Sequence, residues 1–128
     1  MAKRATLADF GGEPFRLFFP AGMVASIWGV ALWPLYFGEV ISFYPGQAHV
    51  RLMAFGFFGA FIIGFLGTAM PRMVSAAKLG PAMTGLLLVM HSAAMVCYGS
   101  GGLVAGDLTF LALLLTYGSA LLPRFMDR

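Results

Sequence analysis

Residues 48–73 read AHVRLMAFGFFGAFIIGFLGTAMPRM. A histidine and an arginine stand near the start, a proline and an arginine near the end, and the interior is almost wholly Phe, Gly, Ala, Ile and Leu. An uncharged apolar run of this length matches the roughly 20 residues a helix needs to cross a bilayer. Within it Gly56, Ala60 and Gly64 recur every four residues, and Gly59 and Gly67 lie on a nearby stripe. Small residues at that spacing let two helix backbones approach closely. Phe55, Phe57, Phe58, Phe61 and Phe65 fill the rest of the circumference. The stretch reads as a span built for helix–helix contact.

The rest of the chain agrees with lipid as its solvent. Of 128 residues, 60% are hydrophobic and 10% charged, against about 25% charged in an ordinary soluble domain. A water-soluble domain this small keeps much of its surface exposed and has nowhere to hide so much apolar area. The single cysteine, Cys97, excludes an internal disulfide and a thiolate cluster. The net charge of +3 comes with no basic run interleaved with aromatics, so nucleic-acid binding has no support. The N-terminal apolar run is too long for a signal peptide and reads as a retained first span.

Four spans are expected, over about 17–37, 50–69, 81–98 and 103–122. The connections are short and carry the breakers YPGQ, PRMVSAAKLG and GSGG. Short connections favour sequential antiparallel neighbours. The fold class is therefore all-α, one transmembrane domain over 1–128 built as an up-down bundle of four helices. Lys3, Arg4, Arg16, Arg72, Lys78, Arg124 and Arg128 fall on one side of this arrangement, and Arg51 on the other with Glu39 and Asp107. The positive-inside rule then predicts cytoplasmic N- and C-termini. Trp33, Tyr36, Tyr44 and Tyr98 fit an outer interfacial belt, with Trp28 deeper, against another helix or a partner.

Residues with chemistry are few. His49 sits at the outer end of the second span; it either ligates haem or copper, or bonds to a headgroup or the YPGQ turn. Arg51 suits a lipid phosphate or a carboxylate. His91 lies inside the third span, where an ionisable group is costly and marks a site by default. It is either an axial ligand or a neutral histidine satisfied by Ser92 or Thr116. Met70 and Met73 offer thioethers suited to copper(I), but methionine is equally a core filler. Asp9 and Glu13 are expected to be exposed before the first span. The sequence holds no nucleotide loop, no Ser–His–Asp set and no metalloprotease helix, so no enzyme activity is expected.

Several strings together resemble a known family. EPFRLFFPAGMVASIWGVALW opens the first span, AHVRLMAFGFFGAFIIGFLGTAMP forms the second, and LGPAM enters the third. These resemble the N-terminal part of the NnrS family, membrane proteins of the bacterial nitric-oxide response reported to bind haem and copper. The resemblance implies a helical membrane scaffold and, at the start of the second span, metal-capable side chains. Where the family typically has His-x-His-Glu-Met, this chain has His49, Val50, Arg51, Leu52 and Met53. The first histidine is kept, and a cation and an aliphatic side chain replace the second histidine and the glutamate.

The expectation that follows is a small non-enzymatic accessory subunit on an NnrS-like scaffold. It would pack through Gly56, Gly59, Ala60, Gly64 and Gly67 against other subunits of a respiratory or photosynthetic electron-transfer assembly. Arg51, Trp28, Trp33 and Tyr36 would meet lipid or the interface, and pigment or lipid would cover the aromatic surface. The alternative is a protein of nitric-oxide or nitrite metabolism that binds haem b or copper through His91 and His49.

Overall fold

Proline opens two of the helices. Pro14 begins α1 (Pro14–Phe37) and Pro81 begins α3 (Pro81–Gly99). The first turn of a helix has backbone donors without intrahelical acceptors, so a missing N–H is tolerated there. The other two are α2 (Gly46–Met73) and α4 (Leu103–Met126). This arrangement comes from a computed structural model that describes residues 11–126 together with Arg4, Thr6 and Asp9. Lys3 and Arg128, counted above among the end charges, lie outside the described residues. All four helices are long and apolar enough to cross a membrane, and no strand occurs among the described residues.

All four helices extend beyond their expected limits, α3 by the single residue Gly99. α2 starts at Gly46 rather than 50 and runs through Pro71 to Met73; α1 starts at Pro14 rather than 17, and α4 ends at Met126 rather than 122. Hydropathy marks only the segment within hydrocarbon. The backbone bonds that define a helix continue past it, through ends that carry Arg16, Gln47, His49, Arg72 and Arg124.

The helices differ in how their buried residues are spaced. In α1 these are Pro14, Phe18, Gly22, Ala25, Gly29 and Leu32, steps of four and three. α3 buries Thr84, Leu87, His91, Ala94, Met95 and Tyr98, and α4 buries Gly106, Phe110, Leu113, Tyr117 and Ala120, in the same rhythm. That alternation follows the 3.6-residue turn. α2 instead buries Ala48, Leu52, Gly56 and Ala60, every step a four, before the mixed rhythm returns at Ile63, Gly64, Gly67 and Pro71. In a regular α-helix each step of four overshoots by roughly 40°, so the line would wind off its neighbour. Residues Leu52–Phe58 are a π-helix, in which each bond spans one residue more and the turn is wider. The widened turn offsets the drift and keeps Leu52, Gly56 and Ala60 on one side.

That side faces α1, and the pairs α1–α2 and α3–α4 share the most extensive contact. A Cβ on Gly64 would lie 3.0 Å from the Phe18 Cβ, and one on Gly56 would lie 2.8 Å from the Ala25 Cβ and 2.5 Å from the Met95 sulfur. The seam expected to receive a partner subunit is thus filled within the chain, largely by the first span. Two core clusters result. One gathers Phe18, Ala60, Ile63, Leu79, Leu87, Leu113 and Tyr117; the other gathers Ala25, Leu32, Leu52, Met95, Tyr98 and Phe110.

Candidate functional site

Each histidine reaches a glycine carbonyl on the neighbouring helix. His49, near the start of α2, lies 2.8 Å through Nδ1 from the Gly29 oxygen of α1. His91, on α3 and only 1% exposed, lies 3.1 Å through Nε2 from the Gly56 oxygen of α2. A carbonyl oxygen can only accept, so Nδ1–H donates in His49 and Nε2–H in His91. The glycines make the contacts possible. A Cβ on Gly29 would press on Leu52 and Met53 at 3.2 Å, and Gly56 is tighter still. Rings complete the settings: Phe18 meets His91 edge-on at 5.8 Å, and Trp33 meets His49 at 5.9 Å. His91 is therefore satisfied by backbone, not by Ser92 or Thr116. Ser92 is exposed, and the Thr116 hydroxyl donates within its own helix to Ala112.

The end of the bundle holding His49 carries an ion pair. Arg51 grips Asp107 of α4 with two parallel bonds, Nε to Oδ1 at 2.8 Å and Nη2 to Oδ2 at 3.0 Å. Its Nη1 donates to the Gln47 side-chain oxygen at 2.9 Å, and the Tyr98 hydroxyl donates to Asp107 at 2.9 Å. Such a fork on a carboxylate is the strongest geometry open to these groups. Tyr98 is fully buried in this network. It is not part of the interfacial belt expected for it, because the ring fills the space that Gly106 leaves beside it. Trp33, Tyr36 and Tyr44 do cluster, with Trp33 and Tyr36 each edge-on to Tyr44 at 5.7 and 5.8 Å. Trp28 lies over Gly99 of α3. Below the ion pair a groove of about 390 Å³ runs between α2 and α4, lined by Val50, Phe55, Tyr98, Phe110, Leu111 and Leu114.

The opposite end carries a second charge cluster. Glu13 accepts from Lys78 at 2.8 Å and from Arg72, both on the same oxygen. The Lys78 hydrogen bond, followed among the favourable contacts by Arg72, holds the Glu13 carboxyl below its usual range against the opposing pull of burial. Glu13 is buried, contrary to the expectation of an exposed residue, while Asp9 is exposed and bonds Thr6. The reason is spatial: the loop after α2 folds back under the start of α1. Arg124 closes the same end on the carbonyls of Ala77, Lys78 and Ala120.

Sequence reasoning identified both histidines and Arg51 as notable but did not find their partners. Gly29 and Tyr117 were missed, the latter donating to the Ile63 carbonyl at 3.0 Å, and Tyr98 was read as a belt residue. The one available signal was Arg51 and Asp107, opposite charges near one end of two spans.

The donor set of the described residues does not form a cluster of three or more His, Cys, Asp or Glu ligands. His49 and His91 point to different helices. Asp107 and Glu13 lie in separate ion pairs at opposite ends, and no three His, Cys, Asp or Glu side chains converge. Every buried side-chain nitrogen or oxygen among them has a hydrogen-bond partner. Together these side chains tie helix to helix.

A family profile described as "NnrS protein" matches residues 10–124, nearly the whole chain. No curated protein and no solved structure matches it.

Proposed function

We propose that the chain, which belongs to the NnrS family of membrane proteins associated with the nitric-oxide response, is a non-enzymatic accessory subunit of a larger membrane assembly. The observation that carries this reading is the use of its polar groups. His49, His91, Arg51, Asp107, Tyr98 and Tyr117 each bond across to another helix. Ionisable groups in a membrane mark chemistry unless they are otherwise committed, and here they hold the scaffold. A subunit whose own seam is closed meets its partners through its outward apolar surface, in a bacterial cytoplasmic membrane with both termini inside.

The test is purification of tagged chain in mild detergent, with co-purifying chains and the visible spectrum read on one sample. Stoichiometric membrane partners, with no absorption band assignable to this chain, are expected. An isolated monomer with a haem or copper signal that disappears in His49→Ala or His91→Ala would replace this reading with cofactor binding.

A further inference from the structure

A second groove, of about 420 Å³, lies between α1 and α2 toward the Glu13 end, away from the histidine ties. Phe15, Phe19 and Phe65 line it together with Thr68, Ala69 and Arg72. Phe65 is 59% exposed, and the Arg16 guanidinium lies 5.8 Å from the Phe15 ring centre. Thr68 fixes the two walls relative to each other by accepting the Phe15 N–H at 3.2 Å. Arg72 gives one nitrogen to Glu13, yet its side chain stays 55% exposed, and that of Lys78 58%. Around this end Arg16, Arg72, Lys78 and Arg124 outnumber Asp9 and Glu13.

We propose that this groove holds one anionic phospholipid of the adjoining leaflet. An acyl chain lies along Phe15, Phe19 and Phe65, and the phosphate is bonded by Arg72, with Arg16 and Lys78 adding charge. Three observations select this occupant. The walls are aromatic side chains with no exposed small-residue line, so a second helix backbone is held away while a thin hydrocarbon chain fits. A planar guanidinium beside that slot matches phosphate oxygens. The surplus of cations at this end favours a headgroup of net negative charge over a zwitterionic one, as basic pockets between membrane helices do.

The experiment places an indole in the groove with Phe65→Trp. Mixed micelles then carry either phosphatidylglycerol or phosphatidylcholine with brominated acyl chains, and quenching is read as the difference from the unsubstituted chain. Phosphatidylglycerol is expected to reach half-quenching at a mole fraction about five-fold lower than phosphatidylcholine. Adding Arg72→Gln is expected to bring the two within about two-fold. Equal quenching by both lipids in the parent overturns the proposal. So does loss of the phosphatidylglycerol advantage on adding millimolar inorganic phosphate, which would mark a site for free anions. Because Arg72→Gln also removes a partner of Glu13, phospholipid retained by the unsubstituted chain is measured separately. One anionic phospholipid per chain supports the site, and none overturns it.

Discussion

α2 meets α1 and α4 in two different ways. Toward α1 it presents Gly56, Ala60 and Gly64, and the backbones nearly touch. Toward α4 it presents long side chains, and the helices are bridged rather than apposed. Arg51 reaches Asp107, Phe55 stacks on Phe110 at 4.7 Å, and the Ile63 carbonyl receives the Tyr117 hydroxyl. The first contact is dispersion between close-packed surfaces, which tolerates no added atom. The second is a ladder of separate rungs with a groove beside it. In lipid there is little hydrophobic drive between helices, so close packing and cross-helix hydrogen bonds are the two means of association. This protein uses one on each side of a single helix.

The comparison can be broken most easily at Gly56. Gly56→Leu inserts atoms where a single Cβ already lies 2.5 Å from the Met95 sulfur. It is expected to cost about 3 kcal/mol, seen as a fall of the thermal midpoint in detergent. A midpoint unchanged from wild type would show that the seam is not close-packed. The ladder should respond less. Asp107→Asn weakens the Arg51 fork and the Tyr98 bond, but both partners are partly exposed, so about 1 kcal/mol is expected. A double-mutant cycle with Arg51→Gln measures the coupling, and none would mean the pair is incidental.

Smaller effects sharpen the picture. Tyr117→Phe removes one rung and is expected to cost about 0.6 kcal/mol, the usual worth of such a bond between membrane helices. Glu13 adds a pH dependence. Its carboxyl titrates below the ordinary value in the folded protein, so its contribution is complete above the unfolded pKa and is lost as pH falls through the folded one. Acid titration of the thermal midpoint should therefore lose part of its slope in Glu13→Gln, and an identical profile would count against the cluster. At the bottom of the scale, Gly118→Leu on α4 meets nothing within 4 Å and should leave the midpoint where it was.

The spans were legible because each is a property of a short continuous window: some 20 apolar residues bounded by breakers. The resemblance to the family was legible for a similar reason, being carried by unbroken strings such as EPFRLFFP. The small-residue line of α2 was visible too, though not what filled it. The run of buried residues from Ala48 to Ala60, every step a four, also held an unread clue, since in a regular helix such a line drifts by roughly 40° a step. The π-helix at Leu52–Phe58 takes up that drift.

The sequence by itself determined that this chain lives in lipid, as four helices with a packing seam on the second. Hydropathy and spacing are local, and lipid leaves the backbone no alternative but to satisfy itself within each helix. Tertiary structure alone decided the partners: α1 in the seam, Gly29 and Gly56 under the histidines, Asp107 beside Arg51, and Lys78 and Arg72 on Glu13. Those pairings join residues 20 to 65 positions apart. They depend on how each helix is rotated about its axis, and that rotation is set by all its neighbours at once.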